Sequence, residues 1–471
     1  MISRNNNGEV MSHKIIKLSP LILAAATAVF SSQAYSSGFA LIEQGASGQG
    51  VAYAGAAAIG EDASTVYFNP AAMTRLSGQQ IVFAGHVIAP KFDFTNNGST
   101  TFASTPLTGT NADGGETSFV PNLYWAAALD NGLHLGVGIN VPYGLATEYD
   151  NGWVGRYHGL KSEITTINVN PALAWKMTDS VSFGIGLSVQ YIDVKLTNNL
   201  DSFATCANLV GPANVATQCA GLVNAPSVAS QDSAFKMEGD DTSIGWNIGV
   251  LFDISDKSRL GLAYRSAITH DIEGQASFNL DPGLQPVADG ASAATGFNIL
   301  QDTALNAGAE LPESFSVSFV HDYNLHWSLL MDYTWTGWDS LDVVEVVLAG
   351  GAPGRDPTLD LEFQNTNRLS IGTHYKPGNN WIFRGGLAYD ESPVRSDELR
   401  TARVPDNDRT WLSLGFGYEA SKSWSFDVAY SHLFVSDTGI NNQTPTSSGA
   451  TLIGTYDASV DILSAGVNFN F

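Results

Sequence analysis

Few residues in this sequence are of the kind that carry chemistry. The two cysteines, Cys206 and Cys219, lie in one polar stretch rich in Ala, Asn and Val. In an exported protein such a pair predicts a disulfide that closes a local loop. A metal site is the alternative, but no histidine or further cysteine lies near in sequence. There is no G-x-S-x-G nucleophile motif, and we expect no catalytic residues, no resident metal and no cofactor.

Arginines on alternating segments are the best candidates for binding an anionic group. Three of them share a face with small or polar residues and oppose apolar ones: Arg368, Arg384 and Arg409. A guanidinium in such a position can hold a carboxylate through charge-assisted hydrogen bonds. The alternative is an ion pair inside the protein with an acidic residue of the same face, such as Asp390, Asp408 or Asp427.

The first 36 residues are expected to be a secretory signal. Arg4, Lys14 and Lys17 precede an apolar run from Leu18 to Phe30, and Ala34-Tyr35-Ser36 offers small residues for cleavage. The run is too short to cross a hydrocarbon core of roughly 30 Å as a helix. A buried N-terminal helix is the alternative, and residues 1–36 are left out of the fold prediction.

The remaining chain combines low charge with an absence of long apolar runs. Charged residues make up 14% of the sequence, against about 25% in soluble domains, while 44% is hydrophobic. No later stretch approaches 18 apolar residues, which excludes a helical membrane protein. The net charge of −24 argues against a nucleic-acid partner.

Alternation of apolar and small polar residues predicts membrane-spanning strands. From Val181 to Tyr191 every second residue is apolar, and Ser, Gly or Gln lies between. A small-residue face suits a crowded barrel interior, and the apolar face then meets lipid. We therefore predict an all-β fold, a 14-stranded antiparallel transmembrane β-barrel over residues 79–471. The expected strands lie near 81–94, 119–130, 133–147, 162–176, 181–196, 241–253, 258–278, 310–322, 326–347, 358–375, 381–391, 408–419, 424–436 and 459–471.

Residues 37–78 do not follow the strand pattern. They are rich in Gly and Ala, and Val66-Tyr67-Phe68 precedes Asn69-Pro70-Ala71. Because this stretch is too apolar for a solvated tail, we expect it to form a hatch that plugs the barrel. A disordered periplasmic extension is the alternative.

Several of these motifs together resemble one family. Ser37-Gly38-Phe39-Ala40-Leu41, followed by Asn69-Pro70-Ala71, is similar to the N-terminal hatch of the FadL family of outer-membrane transporters for long-chain fatty acids and other hydrophobic compounds. Tyr143 to Tyr149 resembles that family's third strand. Further matches are Glu310 to Glu313, Asp390 to Val394 and Val404 to Arg409. The resemblance covers essentially the whole mature chain.

The resemblance implies a route for the substrate. The substrate would be captured among outer loops, held in a lumenal pocket beside Phe39, and released sideways through a kink in the third strand. Asn69-Pro70-Ala71 would abut this kink. The residues support the kink independently, because Pro142-Tyr143-Gly144 interrupts the alternation and proline removes a ladder donor. A simple bulge is the alternative.

The chain departs from the family where a carboxylate would be held. The positions aligned with basic lumenal groups are Asn198 and Gln364, so Phe39, Arg368 and Arg384 are the predicted substrate-binding residues. We expect a hydrophobic substrate, with the apolar clusters of loops 197–240 and 279–309 forming the capture groove.

Two other functions are compatible with an outer-membrane barrel. An outer-membrane enzyme would need a nucleophile with a base, and a general aqueous porin would need an open, charged lumen. The expected partners are a hydrophobic small molecule, outer-membrane lipid and lipopolysaccharide, and the barrel-assembly machinery, whose signal the C-terminal Phe471 fits.

Overall fold

The structure is a computed structural model, and it describes residues 38–101, 104–129, 131–222, 232–352, 356–443 and 449–471. The expected signal at residues 1–36 lies outside this range. Among the described residues, no helix is both long and apolar enough to cross a membrane.

Fourteen antiparallel strands form a closed barrel, and we count an interrupted strand once. Their bounds in chain order are β1 Gln79–Asn96, β2 Ser118–Ala128, β3 Leu133–Asn140 with Gly144–Glu148, β4 Lys161–Thr178, β5 Val181–Leu200, β6 Ser233–Ser255, β7 Ser258–Arg265 with Ile268–Asn279, β8 Thr303–Leu311 with Ser314–Asp322, β9 Trp327–Thr336 with Val343–Leu348, β10 Thr358–Asp360 with Thr366–Tyr375, β11 Trp381–Asp390, β12 Arg409–Glu419, β13 Trp424–Val435 with Thr438–Asn442, and β14 Leu452–Asn470.

The barrel closes between its first and last strands. β1 pairs with β14 over a long antiparallel register, from Gln80 opposite Asn470 to Asn96 opposite Gly454. The other strands pair with their neighbours in sequence. The predicted 14-stranded antiparallel barrel is therefore confirmed.

Side chains alternate between the lumen and the lipid along each strand. In β10, Leu369 is 56% exposed and Ile371 is 47% exposed, whereas Arg368 and Ser370 between them are buried. This is the pattern expected when apolar side chains face lipid and small or polar ones face a filled interior.

The structure differs from the predicted strands in two ways. Strands β7 and β8 are interrupted where continuous strands are predicted, and β6 and β8 begin within predicted loops. β7 breaks at residues 266–267 and β8 at residues 312–313. β8 begins at Thr303 and β6 at Ser233, both earlier than predicted. The loops also contain helices α4 Ser202–Val210, α5 Val215–Gln218 and α6 Gln285–Thr295, which follow the three short helices of the N-terminal segment.

Residues 38–78, hereafter the N-terminal segment, pack against the inward faces of the strands. The segment contains helices α1 Ala46–Gln49, α2 Ala56–Ile59 and α3 Thr65–Phe68 and a 3-10 turn Pro70–Arg75. Inward glycines allow this close approach. A Cβ at Gly249 would lie 1.8 Å from Asn69 Oδ1, and one at Gly261 would lie 2.0 Å from the carbonyl oxygen of Ala57.

Candidate functional site

The third strand leaves its neighbour at the predicted kink. β3 pairs with β2 only as far as Ile139. The strand partner of its second part, Gly144–Glu148, is β4, and one isolated bridge joins Thr147 to Gly115. The kink backbone is held from the β4 side by Thr166, whose Oγ1 accepts from Tyr143 N at 3.0 Å and donates to Tyr143 O at 2.7 Å. Pro142 and Tyr143 thus lie in the interruption between the two parts of β3, and Gly144 begins the second part.

Residues 39–44 of the N-terminal segment occupy the place that β2 vacates. Leu41 N donates to Pro142 O and Gly144 N donates to Phe39 O, both at 2.8 Å. Gln44 Nε2 donates to Val141 O at 3.0 Å. The unpaired backbone of the kink is thus satisfied by the N-terminal segment, as a break in a membrane-embedded wall requires.

Asn69-Pro70-Ala71 lies elsewhere. Asn69 Nδ2 donates to Ala57 O at 2.6 Å and to Val250 O of β6 at 3.2 Å, and Asn69 Oδ1 accepts from Ala71 N. The motif anchors the N-terminal segment to β5 and β6, where Gly184 and Gly249 leave room for it. The expectation that it abuts the kink is not met, because residues 39–44 already fill that place.

Three aromatic rings meet at the level of the kink. Phe39 lies 5.0 Å from Trp338 and 6.2 Å from Tyr143, measured between ring centroids, in edge-to-face geometry. The Tyr143 hydroxyl donates to Pro312 O at 2.8 Å, at the break in β8. We call these rings the aromatic partition, because Phe39 lines one cavity of the barrel interior and Tyr143 lines another.

Cavities lie on both sides of this partition. An outer cavity of about 530 Å³ is lined by Leu209, Ile299, Leu348 and Arg403 among others. An apolar cavity of about 120 Å³ follows, and it shares Arg403 with the outer cavity and has Phe39 in its lining. A kink cavity, also of about 120 Å³, is lined by residues 40–42 and 142–143 and by Arg368.

Arg403 is the lumenal cation that sequence analysis missed. It is buried between the outer and apolar cavities, and its donors meet only neutral oxygens: Ser162 Oγ and Asn198 Oδ1, both at 3.1 Å, and the carbonyl oxygens of Lys161 and Thr197 at 3.3 Å. Among the residues described, no carboxylate forms a salt bridge with it. Burial lowers the pKa of Arg403 to about 10.

Arg403 supplies a basic group beside a position where the sequence has none. Asn198, one of the two positions aligned with basic residues of the family, accepts a hydrogen bond from Arg403. Arg403 lies in the connection between β11 and β12. Strand parity carries no information in a connection, so only its position directly before the family-like stretch Val404 to Arg409 could have drawn attention to it.

Two of the arginines singled out from the sequence are ion-paired instead. Arg384 Nη2 lies 2.8 Å from Glu61 Oε1 and Arg384 Nη1 lies 2.6 Å from Asp427 Oδ1. Arg409 Nη2 lies 2.6 Å from Asp406 Oδ1. The pairing alternative therefore describes these two side chains, and Arg384 joins the N-terminal segment to the wall rather than presenting a free charge.

Arg368 has no such carboxylate contact in the described residues. Its Nη2 donates to Ala52 O at 2.9 Å, and its guanidinium lies 5.1 Å from the ring centroid of Trp411. Its Nε and Nη1 are buried and meet no hydrogen-bond acceptor. Of the predicted arginines, Arg368 alone lines the kink cavity and retains unused donors there.

The two cysteines form the predicted disulfide in the first long loop. Cys206 in α4 and Cys219 are bonded, with 6.0 Å between their Cα atoms. The bond lies in an apolar cluster with Leu222 and Leu284, which joins the two longest loops. Both loops contribute to the outer cavity, for example through Leu209 and Ile299.

Comparison with known proteins identifies the family. Residues 27–471 match the family described as "Outer membrane protein transport protein (OMPP1/FadL/TodX)". A long-chain fatty acid transport protein of Escherichia coli O6:H1 is 32% identical over 87% of this chain and 90% of its own length. Outer membrane protein P1 of Haemophilus influenzae is 29% identical over 88% of this chain and 90% of its own.

Solved structures agree on the fold. A FadL homologue of Pseudomonas aeruginosa superposes with a TM-score of 0.83 at 24% identity, covering 92% of this chain and all of the other. The toluene transporter TodX of Pseudomonas putida superposes with a TM-score of 0.65 at 17% identity, covering 94% and 99%. The protein is an outer-membrane β-barrel of Gram-negative type, and the chain belongs to the OMPP1/FadL/TodX family of outer-membrane transport proteins.

Proposed function

We propose that this protein takes up long-chain carboxylates, such as fatty acids, across the outer membrane. The observation that carries the proposal is Arg403, a buried cation without a carboxylate partner at the junction of two cavities. Full-length relatives in Escherichia coli are named long-chain fatty acid transport proteins. Toluene transporters share the fold at much lower identity.

Arg403 is suited to the head group of an amphiphile. A carboxylate would add an ion pair, with the bidentate geometry that suits a guanidinium, where Arg403 now meets only neutral acceptors. Because the side chain is buried, its charge is weakly screened and an uncompensated charge there is costly. An incoming anion therefore gains more at this position than at an exposed arginine.

The neighbouring apolar cavity is suited to the alkyl tail. It is lined by aliphatic residues such as Leu145, Ile192, Leu311 and Val346, and by Phe39 at the partition. Each buried CH₂ contributes about 0.8 kcal/mol. With the head at Arg403, the tail would extend toward Phe39 and the kink.

Capture would begin in the outer cavity. Its lining combines apolar side chains from both long loops with polar groups near Arg403. Exposed apolar surface at loop tips is typical of a binding site. We infer that the amphiphile enters here, and the disulfide keeps the first loop in place against the second.

Residues 38–78 would act as the hatch, and the kink would be the exit. In the closed state residues 39–44 fill the gap between β2 and β3 through the hydrogen bonds to Pro142, Gly144 and Val141. Displacing them would open the wall toward lipid. We propose this step as lateral release, and it needs no movement of the barrel strands.

A packed lumen favours a selective transporter over an aqueous porin. The N-terminal segment contacts strands on many sides, and Arg384, Asn69 and Gln49 tie it to them. The family is one of transport proteins, and we propose that this member catalyses no reaction. Its proposed partners remain the hydrophobic substrate, surrounding lipid and lipopolysaccharide, and the barrel-assembly machinery.

The test is the affinity of purified protein for oleate and for neutral oleyl alcohol. Arg403→Gln should weaken oleate binding about 10- to 100-fold, since hydrogen bonds to a charged group contribute about 1.5–3 kcal/mol. Binding of the alcohol should change little. Arg395→Gln, an exposed arginine of the same connection, is the matched control. Equal losses for both ligands, or none for oleate, would overturn the proposal.

A further inference from the structure

The kink cavity differs in character from the apolar cavity on the other side of the partition. Its lining includes Arg265, Asp332, Arg368 and Asp390 as well as the kink residues. Polar groups at this depth need partners, because burying them unpaired is unfavourable. A ligand in this cavity would be held by the groups that retain hydrogen-bonding capacity.

Two of the charged groups around this cavity are already occupied. Arg265 donates to Ser188 Oγ at 3.1 Å and to Tyr67 O at 2.8 Å. The carboxylate of Asp332 accepts from Ser318 and from Thr334. Neither side chain therefore presents an unused group comparable to that of Arg368.

Arg368 is different because two of its donor atoms have no acceptor. The residue is only 6% exposed, and its Nε and Nη1 are both buried and unpartnered. Asp390 faces it across the strand pair. Trp411, beneath the guanidinium, also has an unpartnered Nε1. Arg368, which lines the kink cavity, thus carries buried donors without an acceptor, and an anion in the cavity would satisfy them.

A carboxyl group of the N-terminal segment is coupled to this arginine. Glu43 is fully buried, and both of its carboxyl oxygens lack a hydrogen-bond partner. Burial raises the pKa of Glu43 to about 8, although the positive charges of Arg368 and Arg409 oppose the rise and Asp390 adds to it. Glu43 belongs to residues 39–44, which close the kink, and Asn122 Nδ2 holds its carbonyl oxygen at 2.7 Å.

We propose that Arg368 forms a second carboxylate-binding site at the kink, separate from Arg403, and that Glu43 competes with the ligand for Arg368 when it is ionised. The site receives the head group after the tail has passed the aromatic partition. This inference rests on the proposed function. It specifies that the substrate has an anionic head group, because a neutral hydrocarbon would need neither Arg403 nor Arg368.

The competition gives the site a defined pH dependence. Below about pH 8 the Glu43 carboxyl is uncharged and leaves the charge of Arg368 to the ligand. Above about pH 8 the Glu43 carboxylate is negatively charged, interacts with Arg368 and repels an anionic ligand. The other titratable groups coupled to Glu43 are Tyr53 and Tyr67 of the same segment, whose pKa values burial raises, so they stay neutral in this range.

The experiment uses the full-length protein in detergent and hexadecanesulfonate, whose head group stays charged at all relevant pH values. All measurements are made in an Arg403→Gln background, which impairs the first site. Adding Arg368→Gln should weaken binding by about tenfold or more, as loss of charged hydrogen bonds implies. Arg259→Gln is the matched control, since Arg259 is a buried lumenal arginine that pairs with Asp322.

Glu43→Gln provides the second arm. Between about pH 7 and pH 9.5 the background protein should lose sulfonate affinity about tenfold, and the Glu43→Gln protein should not. Equal effects of Arg368→Gln and Arg259→Gln, or a pH dependence that persists in Glu43→Gln, would overturn the second site. The proposed function fails on a different result, namely unchanged oleate affinity in Arg403→Gln alone.

Discussion

Arg384 allows the attachment of the N-terminal segment to the barrel wall to be tested. Its guanidinium bridges Glu61 of the N-terminal segment and Asp427 of β13, with its own side chain 2% exposed and those of Glu61 and Asp427 24% and 15% exposed. Arg384→Met would leave two carboxylates in the lumen without their counter-ion. Removing one partner of a buried ion pair typically costs about 3–5 kcal/mol.

The pKa of Glu61 gives an independent measure of the same interaction. Burial alone would raise the pKa of Glu61, but Arg384, with smaller contributions from His374 and Lys376, lowers it from an ordinary value near 4.5 to about 2. That difference corresponds to about 3 kcal/mol, at 1.36 kcal/mol per pKa unit. Partial exposure of Glu61 reduces this electrostatic contribution. We therefore expect Arg384→Met to lower the free energy that holds the N-terminal segment in place by about 2–3 kcal/mol. A depressed pKa stabilises the closed state above pH 4.5, and the stabilisation is lost as pH falls toward 2.

The assay is single-channel conductance in planar bilayers together with heat-modifiability on gels. Arg384→Met should show frequent open events and normal folded barrel, because strand pairing does not involve this side chain. The triple variant Arg384→Met, Glu61→Gln, Asp427→Asn removes all three charges and should be quieter than the single variant. Conductance of Arg384→Met equal to that of wild type would refute the assigned role of the ion pair.

Three further outcomes are expected. Gly144→Trp should abolish fatty acid uptake at normal abundance of folded barrel while ligand binding in detergent persists; wild-type uptake rates would exclude exit at the kink. Shortening the connections 201–232 and 280–302 should lower uptake at limiting substrate but not at saturation, and unchanged uptake at both would remove them from capture. Non-reducing peptide mapping of protein from the outer membrane should link Cys206 to Cys219, whereas free thiols would contradict the disulfide.

The strands were predictable because the membrane imposes one rule on each of them. Every spanning strand must place apolar side chains toward lipid, so a period of two located all fourteen. The rule fades above the membrane, where both faces meet polar surroundings. For this reason the sequence predicts loops at Ser233 to Asp240 and at Thr303 to Ala309, whereas the structure shows that these residues continue β6 and β8.

The site was only partly predictable. Pro142 and Gly144 predict the kink, because the backbone properties of proline and glycine act locally in sequence. The contacts that close it join residues about 100 positions apart, from Leu41 to Pro142. Parity placed Arg368 and Arg384 in the lumen but could not tell which of them meets a carboxylate. Arg384 meets a carboxylate because Glu61 lies beside it, and the position of Glu61 follows only from the folded structure.

The energetics of the proposed exit compare the contacts that close the kink with the burial of the alkyl tail. Residues 39–44 are held by three hydrogen bonds to Pro142, Gly144 and Val141 and by two from Asn122 and Tyr124 of β2, worth about 0.5–1.5 kcal/mol each, or roughly 2.5–7.5 kcal/mol together. Sixteen methylenes that pass directly into lipid retain about 13 kcal/mol that release into water would forfeit. Displacing residues 39–44 therefore costs less than release of the tail into water would, and this difference favours the lateral route over release into the periplasm.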